Sequence, residues 1–270
     1  MLGANQWGKS AVRVSKLLRG PAEDDFVDLT VSVILGGEVA AAFTDGDNSS
    51  VLPTDTVRNT IYGLAQEHLS HDLEGFGEIL SARFLSREDV TDCQVVLKER
   101  IWDRRSPSGF VGGGTERRTA TVIRGSRSST TAGIAGLVLL KTRGSAFSGF
   151  PRDEFTALPE TSDRILASSV TAEWLYTTVP ADTGVTWALV RETLIDRFFT
   201  DPSESMQHQG YQMGEAVLEA VPEIAELTLR LPNQHHLPFD LNRFGLADTG
   251  TVFHPVSEPY GDISLTLTRG

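Results

Sequence analysis

Residues 46–68 read GDNSSVLPTDTVRNTIYGLAQEH. The opening, Asp45-Gly46-Asp47-Asn48-Ser49-Ser50, has turn chemistry: small polar side chains that bond nearby backbone and tolerate tight bends. The pattern then changes. Val57, Ile61, Leu64 and Ala65 recur at helical spacing, which predicts an amphipathic helix with one apolar face. Pro53 leads into it, and Thr54 and Asp55 fall at or just before its start. The first N–H groups of a helix have no partner within it, so a Thr-Asp pair there has an ordinary explanation as a cap.

Outward from this helix, the chain shows a recurring order of elements. Val12 and Val14 alternate with Arg13 and Ser15 as the start of a strand, with Lys9 just before it in Trp7-Gly8-Lys9. Val27, Leu29, Val31, Val33 and Leu35 alternate as a second. Behind the opening helix, Asp72 is a candidate cap for another, with Leu73, Phe76, Leu80 and Phe84 on one face. Strands are expected around Cys93–Asp103 and Arg117–Arg124, separated by the loop 106–115, SPSGFVGGGT. A polar break at Ser126–Thr131 follows, and the order repeats. Ile134–Lys141 reads as a strand, as does the alternation Val170, Ala172, Trp174, Tyr176. Trp187, Val190, Leu194 and Phe198 mark a helix, and a second runs from about Ser205 to Ala220. Leu227, Leu229 and Leu231 form a strand, and Ile263, Leu265 and Leu267 the last one. The class is α+β, with two tandem ββααββ halves, 1–128 and 129–270, each an antiparallel sheet with helices on one face. The repeat is one of element order, not of sequence.

Composition narrows the function. The 270 residues are 40% apolar and 22% charged, as in a globular protein with a sizeable core. The net charge of −12, with no basic block, argues against nucleic acid and anionic membranes as partners. An anionic substrate would need a local arginine or lysine. The single cysteine, Cys93, forbids an internal disulfide and fits a reducing compartment. No apolar run reaches the length of a membrane span. The opening Met1–Trp7 lacks the regions of a signal peptide, and the final Leu267-Thr268-Arg269-Gly270 is not a Ser-Lys-Leu address, so a cytoplasmic location is expected.

The stretch 46–68 resembles the N-terminal signature of the urate oxidase (uricase) family, whose GDNS, TDT and IY blocks stand nearly intact here. Further matches follow in order along the chain. They are Gly8-Lys9-Ser-Ala-Val-Arg13, then Phe147–Thr156 with Thr161-Ser-Asp-Arg164, then Ser205-Met206-Gln207, and last Leu231-Pro-Asn233-Gln-His235 with Asp240-Leu241. The resemblance implies the tunnelling fold, in which two such halves curve into part of a barrel that a second subunit completes. It also implies cofactor-independent oxidation of urate by O2, giving 5-hydroxyisourate and hydrogen peroxide, in a homotetramer whose active sites are shared between subunits.

The same resemblance assigns roles. Arg164, otherwise readable as a surface ion-pair arginine, holds the substrate; a guanidinium fork suits adjacent acceptors that carry negative charge. Gln207 reads the purine edge through its amide, and Met206 offers a backbone N–H at a helix start. Phe147, which could be plain core, stacks on the purine face. Lys9, Thr54 and His235 form a proton relay, in which an amine beside a hydroxyl and an imidazole, away from water, accepts a proton. Asn233 and Thr54 hold dioxygen or the water that replaces it, and Asp55 positions the substrate or the backbone around it. His236 adjoins His235, and the spacing from Asn233 favours His235.

No metal or cofactor is expected. His68-x-x-His71-Asp72 has weak ligand spacing, and Gly112-Gly113-Gly114 lacks the lysine and the context of a phosphate loop, so it reads as flexible loop. Two rivals remain at this stage. A pterin enzyme of the same fold would anchor its heterocycle with a glutamate, where this chain offers Arg164 and Gln207. A non-catalytic purine-binding protein should have lost Lys9, Thr54 or His235, and all three are present.

Overall fold

The computed structural model describes residues 1–247 and 249–269. In chain order the elements are β1 (Trp7–Leu18), β2 (Asp25–Gly37), α1 (Ala40–Thr44), α2 (Thr54–His68), α3 (Leu73–Leu85), β3 (Val90–Ser106), β4 (Gly109–Arg124), β5 (Ser129–Lys141), β6 (Leu166–Tyr176), α4 (Thr183–Thr200), α5 (Met206–Ala220), β7 (Ile224–Arg230), β8 (Asn233–Pro238), β9 (Phe253–Gly261) and β10 (Ser264–Thr268). They divide into two units. One comprises Met1–Ile134 with Trp174–Trp187, the other Ala135–Glu173 with Ala188–Gly270. Among the described residues no helix is long and apolar enough to cross a membrane.

In the first unit the strand order is β1-β2-β3-β4, antiparallel throughout. The alternation on β2 sets which face is dry: Val27, Leu29, Val31, Val33 and Leu35 are all fully buried. Onto that face pack Val57 and Ile61 of α2 and Leu73, Phe76, Leu80 and Phe84 of α3, the residues that the helical spacing picks out. The Asp72 carboxylate caps α3, accepting from the Gly75 N–H at 2.9 Å. A buried charged network is anchored beside that cap. Arg118 donates to Glu74 at 2.7 Å, to the Thr183 hydroxyl at 3.0 Å and to the His71 carbonyl at 2.8 Å, while Thr183 donates to Asp72 at 2.9 Å. His71 itself lies between carboxylates, its Nε2 2.9 Å from Asp25 and its Nδ1 3.6 Å from Glu99. Glu99 foremost, with Asp25 adding to it, holds this imidazole above its usual range against the opposing effect of burial. Cys93, on β3, is buried, and desolvation pushes its thiol up to about 12.

Two expectations are corrected here. The segment 106–115 is not a loop between strands, nor is Gly112–Gly114 a flexible one: β3 runs on to Ser106, β4 begins at Gly109, and Gly112 pairs with Trp102. A side-chain contact across the ladder supports the strand despite its glycines, with Arg104 of β3 over the Phe110 ring of β4, while along β3 Arg100 lies over the Trp102 ring. The tip is pinned by the Asp24 N–H donating to the Pro107 carbonyl at 2.8 Å. The cap reading of Thr54 and Asp55 also fails. Pro53 occupies the cap position of α2 with no side-chain bond, and Thr54 is the first helical residue.

In the second unit the strand order is β5-β6-β7-β10, with Leu229 opposite Leu265 and Leu227 opposite Leu267. Val190, Leu194 and Phe198 of α4, with Met213 and Val217 of α5, are fully buried in this unit. Helix α5 comes very close to the sheet: a Cβ on Gly210 would stand 2.5 Å from Leu231, and one on Gly214 2.5 Å from Leu267. The simple ββααββ order is interrupted by the hairpin β8–β9. The prolines at 238, 255 and 259 obscure its alternation in the sequence.

Candidate active site

The second unit contains a cavity of about 500 Å³, walled by Phe147, Thr161, Asp163, Arg164, Asn233 and His235 among others. Its construction can be followed from the backbone. Phe147 and Thr161 pair as an isolated bridge, each N–H donating to the other's carbonyl at 2.8 and 3.0 Å. The Thr161 hydroxyl donates to the Asp163 carbonyl at 2.8 Å, and the Asp163 carboxylate accepts from the Gly144 N–H at 2.7 Å. The turn 161–164 is thereby fixed against 144–147.

Arg164 leaves this turn with its guanidinium 5.2 Å from the centroid of the Phe147 ring. Phe150 stacks on Phe147 at 5.0 Å between centroids. Among the described residues no carboxylate pairs with Arg164, and its buried Nε has no hydrogen-bond partner. Burial lowers its pKa from the ordinary arginine value. A half-buried cation with no ion-pair partner among the described residues is an unfavourable arrangement that an anionic ligand relieves.

Asn233 and His235 form the facing wall. Asn233 is buried between two strands, opposite Ser168 of β6 on one side and Gly261 of β9 on the other. His235 is half-buried opposite Val256. His236 also lines the cavity, with its Nδ1 3.3 Å from the Gln234 carbonyl. The ladder shifts register between Asn233 and His235, so strict alternation of faces does not apply there. The geometry leaves both imidazoles at the wall.

Met206 and Gln207 open α5, outside the residues that line this cavity. Ser205 caps the helix by accepting from the His208 N–H at 3.0 Å. Met206 is buried and Gln207 exposed.

Lys9, Thr54 and Asp55 belong to the first unit. The Trp7 indole donates to the Leu52 carbonyl at 3.1 Å, tying the start of β1 to the segment that enters α2. Lys9 follows Trp7 by two residues, half-buried and opposite Val33. Between Lys9 and Val12 the strand bulges, and Ala11 takes φ +57° with its N–H donating to the Ser32 hydroxyl at 3.0 Å. Thr54 is exposed two residues beyond Leu52. Asp55 is exposed too, engaged by Arg58 at 2.6 Å and Asn59 at 3.0 Å.

The predicted residues thus gather into a cavity set (Phe147, Arg164, Asn233, His235), a helix-start pair (Met206, Gln207) and a first-unit set (Lys9, Thr54, Asp55). Sequence reasoning missed Thr161 and Asp163 as wall and turn residues. Their only signal is their place in the Thr161–Arg164 match. The His68/His71 string holds no metal cluster among the described residues; His71 is occupied by Asp25 and Glu99.

A family model described as Uricase matches residues 5–127 and 130–264. The uricase of Arthrobacter globiformis is 41% identical over 273 residues, covering 100% of this chain and 90% of that protein. The uricase of Dictyostelium discoideum is 35% identical over 276 residues, covering 98% of this chain and 96% of its own. The crystal structure of the Arthrobacter globiformis enzyme superposes with a TM-score of 0.95, covering 100% of this chain and 95% of that one. The urate oxidase of Bacillus sp. TB-90, at 24% identity and a TM-score of 0.84, shares the fold.

Proposed function

The chain belongs to the uricase family, and from that premise we propose that it oxidises urate with O2 and water to 5-hydroxyisourate and hydrogen peroxide. The observation that carries this reading is the guanidinium of Arg164, without an ion-pair partner among the described residues, beside the flat ring of Phe147 at the cavity wall. It pairs a cation for an anionic heterocycle with a surface for its π face.

Deprotonated urate is electron-rich enough to reduce O2 itself. Two electrons pass from the purine to O2, O2 takes up two protons and leaves as hydrogen peroxide, and water adds its oxygen at the oxidised carbon. The protein then has to supply deprotonation, orientation and a dry pocket. In this reading Lys9, Thr54 and His235 move the protons, and Asn233 with Thr54 holds O2 and then water above the ring. Arg164 and Gln207 fix the purine edge, Met206 adds a backbone N–H, and Asp55 positions the substrate or the backbone around it. No metal or organic cofactor takes part.

The functional assembly is a homotetramer of tunnelling-fold subunits, with tandem halves 1–128 and 129–270. The break in the family match between 127 and 130 supports that boundary. Dimers close the barrel, which removes exposed sheet edges. One subunit gives Lys9, Thr54 and Asp55, and the other gives Phe147, Arg164, Met206, Gln207, Asn233 and His235. That Lys9 and Thr54 lie near the Trp7–Leu52 bond of the first unit, while Phe147, Arg164, Asn233 and His235 line the cavity of the second, supports such sharing. The single, buried Cys93 fits a cytosolic setting.

The test is direct. Purified protein is mixed with urate, and the loss of urate ultraviolet absorbance is followed together with peroxide release. Equal molar loss and release is expected; no loss of urate would overturn the proposal.

A further inference from the structure

The cavity wall and the start of α5 are both tied to one short segment, 141–147. Ser203, in the turn before α5, pairs with Ser145: the Ser203 N–H donates to the Gly144 carbonyl at 3.0 Å and the Ala146 N–H to the Ser203 carbonyl at 2.9 Å. Three residues upstream of Gly144, at the end of β5, stands Lys141. Its side chain is turned inward and is 8% exposed. Its ammonium donates to the Asp201 carbonyl at 2.8 Å and to the Gln209 side-chain oxygen at 2.5 Å, and lies 5.5 Å from the centroid of the Phe198 ring.

Gln209 is fully buried, two residues beyond Gln207. Its amide nitrogen donates to the Arg197 carbonyl at 3.1 Å, in the last turn of α4. Lys141 and Gln209 therefore bind the end of α4, the first turn of α5 and the end of β5 into one hydrogen-bonded knot. Burying an ammonium is costly, and core packing alone would be served by an apolar side chain. What the ammonium adds is direction: two fixed acceptors, one on each side of the turn 201–205, set how far α5 projects and how it is rotated.

We propose that Lys141 is a positioning residue, which through Gln209 holds the first turn of α5 in the orientation that lets Gln207 read the purine edge. This rests on the assignment of Gln207 to the substrate made above. Lys141 touches neither the substrate nor the reacting atoms; it fixes the angle at which a recognition group is presented. A purely structural lysine would affect the fraction of folded protein and leave the affinity of each folded site alone.

A double-mutant cycle separates the two. Lys141→Met, Gln207→Ala and the double variant are compared with wild type, in urate KM and kcat and in calorimetric affinity for the purine analogue 8-azaxanthine. Lys141→Met is expected to raise KM and weaken analogue binding about tenfold, with a smaller change in kcat, and to have less than a twofold further effect once Gln207 is alanine. An equal effect in both backgrounds, or none in either, overturns the proposal. If Lys141→Met does not fold, Gln209→Met takes its place in the same cycle with the same expectation. Wild type that binds no purine would take down the functional reading and this inference together. Wild type that binds purine, with a flat Lys141 row, overturns this inference alone. A Gln207→Ala variant with unchanged affinity overturns the inference through its premise.

Discussion

The guanidinium of Arg164 stands over the ring of Phe147, 5.2 Å from its centroid, while Phe147 is fixed by its bridge to Thr161 three residues before Arg164. Cation and ring are held by the same turn, so they are preset with respect to each other. Hydrogen bonds to charged groups contribute roughly 1.5–3 kcal/mol. Arg164→Ala should therefore weaken calorimetric binding of 8-azaxanthine by about ten- to a hundredfold. Arg164→Lys should recover only part of it, because a point charge lacks the fork. Full recovery by lysine would reduce the role of Arg164 to charge alone.

Lys9 is expected to act on the chemical step. Removing a general base typically costs about 10²–10⁴-fold in rate. Lys9→Met should lower kcat on that scale in steady-state assays with urate. A raised KM with near-normal kcat would move Lys9 to the binding set.

Subunit sharing makes a prediction about mixtures. Thr54→Ala and Arg164→Ala chains should each be nearly inactive. In a mixed dimer one site takes both intact residues and the other takes both defects. Random association makes about half the dimers mixed, so about a quarter of all sites should regain activity. Co-refolded variants that exchange subunits yet never exceed the mean of their parents would show that each site is built within one chain.

His71 gives a pH dependence of stability. Its folded pKa is raised, chiefly by Glu99 and then by Asp25. Its pairing therefore stabilises the fold fully below the unfolded imidazole value and is lost as pH rises through the folded one. Urea unfolding of wild type and His71→Asn should show a stability gap that is widest at low pH and closes above neutrality. A gap independent of pH would exclude this linkage.

Arg118 and Glu74 form the buried ion pair of the first unit. Arg118→Met should cost roughly 3–5 kcal/mol, since it strands a buried carboxylate. Adding Glu74→Leu should return part of that loss. Thermal unfolding of the single and double variants decides it; a double variant no more stable than Arg118→Met would show that the stranded Glu74 carboxylate is not the source of the loss.

Much of this architecture was legible because it follows from local periodicity. The 3.6-residue spacing at Val57, Ile61 and Ala65, and the alternation from Val27 to Leu35, each bury the face they predict. Phe147, Arg164, Asn233 and His235 were found through motifs, not periodicity, and the fold brings all four to one cavity. The misses have a common physical cause. The glycine-rich segment became strand because Trp102 pairs with Gly112 and Arg104 with Phe110, information that lies on the partner strand β3. The β8–β9 hairpin was hidden by prolines, and the knot at Lys141 by the ordinary expectation that a lysine ending an apolar strand faces water. Long-range partners decide these cases, and neighbouring residues carry little trace of them.

The burial of Cys93 has a consequence for durability. Hydrogen peroxide, the proposed product, attacks thiolates, and burial pushes this thiol up to about 12, which keeps it protonated at neutral pH. The thioethers are shielded as well: Met206 and Met213 are buried, leaving only Met1 exposed. A catalyst that releases an oxidant at every turnover has its vulnerable sulfur kept out of reach, so its working lifetime should not be set by self-inflicted oxidation of Cys93, Met206 or Met213.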